Sequence, residues 1–72
     1  MRDGLTFTIE IEQESDGRWI GAIPEIPGAL AYGNTPTEAL ASVKALALRV
    51  LAEKLEHGEM PAGLSEVTFE AA

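Results

Sequence analysis

The residues able to do chemistry in this chain are few and scattered. Glu10 and Glu12 are two apart in an alternating stretch, so their carboxylates share a face and could hold a divalent metal or act as an acid and base pair. No third carboxylate or histidine is placed by the sequence to join them, and two exposed glutamates on a solvent face is the simpler reading. His57 is the only imidazole. Nucleophilic catalysis needs a base beside a nucleophile and a group to orient it; a histidine at a helix end is better explained by the helix dipole or by Glu53 one turn earlier. The run from Gly28 through Gly33 to Thr35 copies the glycine spacing of a phosphate-binding loop, but Asn34 stands where the essential lysine belongs. Trp19 and Tyr32 could stack on bases, yet the formal net charge of -7 opposes contact with phosphates. Packing in a core or a subunit interface suits these aromatics better.

The elements that carry these residues follow from periodicity. Leu5, Phe7, Ile9 and Ile11 alternate with Thr6, Thr8, Glu10 and Glu12, the pattern of a half-buried strand. Glu14-Ser15-Asp16-Gly17 has turn chemistry, so Arg18 to Ile23 returns as the second strand of a hairpin. Trp19 and Ile23 point one way in it, and Ile20 and Ala22 the other. Pro24 and Pro27 lack ladder donors and force a turn through Gly28. A short third strand, Ala29 to Tyr32, ends at Gly33.

Thr35-Pro36-Thr37-Glu38 is a capping box with proline at the first helical position. The helix it opens is expected to run to about His57, with Gly58 as a left-handed stop and Pro61 beyond. Leu40, Val43, Leu46, Ala47, Val50, Leu51 and Leu55 share one side at about 100° per residue, and Leu48 widens the apolar arc to roughly 200°. Glu38, Ser42, Arg49, Glu53 and Glu56 mark the solvent side. Leu64 to Glu70 alternates again as a short last strand, expected at a sheet edge.

One domain over residues 1–72 of the α+β class is expected, in the order β-β-β-α-β, an antiparallel meander with one helix on one face. The other face is bare in a monomer, and that face together with the wide apolar arc calls for a homodimer or higher oligomer. With no cysteine there is neither a disulfide nor a thiolate metal site, and no cofactor or metal is expected. The first residues lack a secretory signal, and Ala39 to Ala52 is too short and too polar to span a bilayer, so a cytoplasmic, non-enzymatic protein that touches neither membrane nor DNA is expected.

The pattern Pro24-x-x-Pro27-Gly28 followed by Gly33-x-Thr35-x-x-Glu38-Ala39, with the preceding strand around Trp19 and Ala22, resembles the HicB family of type II antitoxins. The resemblance implies a partial ribonuclease-H-like fold without catalysis, homo-oligomers, and the masking of a small basic HicA toxin, an mRNA-cleaving ribonuclease. Many members of that family carry a carboxyl-terminal DNA-binding domain; after Leu55 this sequence leaves no room for one, so operator binding is not expected. Position 34 is often acidic in that family and is Asn34 here. The matching residues read as scaffold, and an acidic surface of Glu10, Glu12, Glu14 and Asp16 is the expected partner-binding site. The alternative is a homo-oligomeric structural or regulatory protein with no toxin partner.

Overall fold

The computed structural model describes residues 4–60 and 63–72. Five elements follow one another: β1 (Gly4–Gln13), β2 (Trp19–Ala22), β3 (Leu30–Gly33), α1 (Pro36–Glu56) and β4 (Glu66–Ala71). They form a four-stranded sheet in the order β3-β2-β1-β4 with the helix laid on one face. The α+β class and the β-β-β-α-β order are as expected. The first three strands are an antiparallel meander, whereas β4 crosses back to lie parallel to β1, with Phe69 opposite Phe7. The sheet is therefore mixed. The physical reason is connectivity: a helix of 21 residues returns the chain to the end of the sheet where β1 began, and a crossover helix joins strands that run the same way. β4 is an edge strand, as its short alternation suggested.

The core lies between sheet and helix. Phe7 and Ile9 of β1 and Ile23, Ile26 and Ala29 around the turn meet Val43, Ala47 and Leu51 of α1. Among the described residues no polar or charged residue is buried, so the fold rests on apolar contact and its backbone ladders. The inward residues of β1 are those its alternation assigned to the core.

The helix arc is narrower than the sequence pattern indicated. Its buried residues are Ala39, Val43, Ala47 and Leu51, while Leu48 and Leu55 are 51% and 43% exposed. Three of those four sides are small or β-branched because the helix lies close to the sheet. Gly33 explains the approach: a Cβ there would collide with the Ala39 amide and come within 2.7 Å of the Glu38 Cβ. Gly21 does the same one strand inward, where a Cβ would be 3.0 Å from the Ala39 carbonyl oxygen and 3.1 Å from Val43. The two glycines make the seat for the first turns of α1.

The start of that helix keeps the hydroxyl half of its capping box. The Thr35 hydroxyl accepts the Glu38 amide at 3.1 Å and donates to the Glu38 carboxylate at 3.4 Å. The carboxylate thus engages the cap side chain. At the other end Gly58 has φ of 70°, the left-handed stop expected of it. Pro61, expected just beyond, lies outside the described residues.

Candidate protein-interaction face

Strand alternation and the position of the helix divide the sheet into two faces. Gly21 faces α1, so its neighbours Ile20 and Ala22 face the opposite way. The register then aligns two rows across that open face. Glu10 stands beside Ala22 and Ala22 beside Leu30; Glu12 stands beside Ile20 and Ile20 beside Tyr32. Each row starts on a carboxylate at β1 and ends on a large apolar side chain at β3, where Leu30 is 48% and Tyr32 45% exposed. Thr6, Thr8, Thr68 and Glu70 extend the face toward β4. Among the described residues no element covers it.

Of the four acidic residues that the sequence nominated, Glu10 and Glu12 come together on this face and are exposed. Glu14 and Asp16 sit at the hairpin tip, where the Glu14 amide donates to the Arg18 carbonyl and its carbonyl accepts from Gly17. Asp16 already has a partner. Its carboxylate accepts the Arg18 amide at 3.0 Å and the Arg18 Nε at 2.8 Å, and these hold its pKa below the ordinary value, the amide first and the guanidinium next. The same guanidinium lies 4.5 Å from the centroid of the Tyr32 ring. A chain of contacts from Asp16 through Arg18 to Tyr32 therefore braces one corner of the open face. Nothing in spacing announces it, because Arg18 and Tyr32 meet only once β2 and β3 are paired.

The motif residues act on the backbone. Pro24 takes the chain out of the sheet, and the turn that follows is tied by Ile26 donating to the Ile23 carbonyl and Ala29 donating to the Ile26 carbonyl, each at 3.0 Å. Pro27 and Gly28 lie within it, Gly28 with φ of 80°. Gly33, Thr35, Glu38 and Ala39 seat and cap the helix as described above. Glu25, which sequence reasoning passed over, accepts the Thr8 amide with both carboxylate oxygens.

Other candidate chemistry does not assemble. His57 caps the helix end and its Nδ1 lies 4.0 Å from Glu59, on the exposed side. Gly28 to Gly33 spans the turn and β3 and does not form a loop that opens a helix. A cleft of about 250 Å³ between Phe7, Pro27, Leu51 and Met60 is smaller than the usual small-molecule pocket of about 300–1,000 Å³. Among the described residues no three His, Cys, Asp or Glu side chains cluster as a metal site, and no helix is long and apolar enough to cross a membrane.

This chain is 38% identical over 64 residues to the UPF0150 protein ssl0738 of Synechocystis sp., a match covering 89% of this chain and 86% of that protein. The chain belongs to the UPF0150 family. No family model matches it, and no solved structure does. In this UPF0150 chain the covered sheet face carries the core, and the open face carries the exposed side chains of Leu30, Tyr32, Glu10 and Glu12.

Proposed function

We propose that this UPF0150 chain is a non-catalytic protein-binding module of the HicB antitoxin kind, which docks a small, basic, HicA-like mRNA-cleaving toxin on its open sheet face. The observation that carries this reading is the pairing of Glu10 and Glu12 with a strip of Ile20, Ala22, Leu30 and Tyr32. An apolar strip supplies residence time once water leaves it, while carboxylates beside it speed the approach of a cationic partner and reject anionic ones. A net charge of -7 extends the same preference over the whole molecule. Membership in the UPF0150 family is compatible with it.

The test is co-expression with the product of a neighbouring small, basic reading frame. Relief of the growth arrest that product causes, together with a co-purifying complex, supports the reading. Continued arrest with no complex refutes it and leaves a structural or regulatory role without a toxin.

A further inference from the structure

The open face has a middle strand lower than its flanks. Glu10 and Glu12 of β1 and Leu30 and Tyr32 of β3 are exposed, while Ala22 and Ile20 of β2 between them are half-buried. β2 is therefore the floor of a shallow groove, with a carboxylate wall on one side and an apolar wall on the other. The apolar wall is held in place, because the Arg18 guanidinium lies 4.5 Å from the centroid of the Tyr32 ring and is tied to Asp16 at 2.8 Å. Against Ala22 and Leu30 the strip continues into a cavity of about 210 Å³, bounded also by Pro24 and Pro27. That volume suits one apolar side chain of a partner rather than a free small molecule, whose pockets start at about 300 Å³.

The groove has the measure of a helix. Its walls are two strand spacings apart, about 9.6 Å, close to the diameter of about 10–12 Å of a helix with its side chains. Along the strands the rows Glu10-Ala22-Leu30 and Glu12-Ile20-Tyr32 are about 6.6–6.8 Å apart. Residues four apart on a helix rise about 6.0 Å, so successive turns meet successive rows. The covered face shows the same fit, since there the single helix α1 packs against β1, β2 and β3. A second sheet suits the groove less well. Sheets packed face to face bury apolar side chains across their whole width, and toward β4 this face carries Thr6, Thr8, Thr68 and Glu70 instead.

We propose that the occupant of this groove is one amphipathic helix of a basic partner, lying along β2. Its apolar stripe at i, i+3, i+4 and i+7 covers Ile20, Ala22, Leu30 and Tyr32, and lysine or arginine at i+1 and i+5 stands beside Glu10 and Glu12. Positions i+1 and i+5 flank the stripe on one side and lie one turn apart, so both cations reach the carboxylate wall together. Acidic residues in those two places would meet like charge. The docked assembly has three layers: helix, sheet and helix. This inference rests on the reading of the open face as the docking surface for a basic protein, and adds what that protein must present.

The probe is a synthetic peptide of about 18 residues, long enough to form helix in water. It carries leucine at the four stripe positions, lysine at i+1 and i+5, and alanine and glutamine elsewhere. A scrambled peptide of the same composition and a peptide with glutamate in place of lysine are the controls. In fluorescence anisotropy the lysine helix should bind the wild type about tenfold or more tighter than either control. Glu10→Lys/Glu12→Lys should reverse the preference and select the glutamate peptide. Ala22→Phe, which fills the floor without changing charge, should weaken the lysine helix by a similar factor with unchanged circular dichroism. Backbone amide shifts on titration should centre on the two rows.

Equal binding of the lysine helix and its scrambled control, no reversal in the double variant, or shifts confined to other surfaces would overturn the proposal. Should A22F not fold, the charge reversal decides. A small, basic HicA-like protein that docks on the open face while the lysine helix does not bind would sink the helix alone. A lysine helix that binds where that protein does not would keep the groove's occupant and remove the toxin.

Discussion

Glu25 reaches across to Thr8 and accepts its backbone amide with both carboxylate oxygens, at 3.2 and 3.1 Å. The β1–β2 ladder ends at Glu10 and Ala22, because Pro24 carries the chain away from the sheet. Thr8 would otherwise lose a partner on that side, and an amide left without one is costly. The carboxylate of the proline turn thus finishes the strand that the turn abandons.

This contact makes the fold acid-sensitive. The Glu25 carboxyl is held below its ordinary value, first by its own backbone amide and then by the Thr8 amide, against an opposing effect of burial. Asp16 is lowered too, by the Arg18 amide and guanidinium. A carboxyl whose pKa is lower in the folded than in the unfolded chain stabilises fully above the unfolded value, and this is lost as pH falls through the folded value. The melting temperature should therefore drop on acidification below about pH 5. Glu25→Gln and Asp16→Asn should each flatten that dependence in a pH series of thermal melts. A wild-type slope in both variants would show that these carboxyls do not carry it.

Gly33→Ala should destabilise the fold by about 1–3 kcal/mol, the usual cost of overpacking. Its Cβ meets the Ala39 amide and the Glu38 Cβ, and backbone at a helix start cannot yield as a side chain can. Urea unfolding monitored by circular dichroism reads the change. A neutral outcome would mean that the helix seat is not fixed by this glycine.

Thr35→Ala removes the hydroxyl that accepts the Glu38 amide at 3.1 Å. The expected loss is about 1 kcal/mol. Thr35→Ser keeps the acceptor and should recover most of it. Equal losses in the two variants would assign the effect to the threonine methyl.

What the sequence revealed and what it concealed separate by range. The alternation of Leu5 to Ile11 and the Thr35 to Glu38 cap are local, and both are found where the residues placed them. Ala39 escaped the apolar arc because a methyl group scores weakly in a periodic pattern; its burial follows from Gly21 and Gly33 lying beneath it. Leu48 and Leu55 were assigned inward because periodicity counts hydrophobicity and does not know how closely the helix sits on the sheet. The parallel placement of β4 beside β1 also needed the third dimension. On the open face the glutamates were legible as a pair, but their alignment with Ile20, Leu30 and Tyr32 depends on two registers that no local pattern specifies. Glu25, remote from Thr8 in sequence, was hidden for the same reason.

The open face as a docking surface for a basic protein is tested most directly by the association rate of a small, basic HicA-like protein with wild type and with Glu10→Lys/Glu12→Lys. Both glutamates are exposed on the open face, so the double variant should keep its circular dichroism and melting temperature. Its association rate should fall about tenfold or more, and the fall should shrink as salt is raised. Equal rates for the two proteins, or no binding by the wild type, would contradict the assignment of this face.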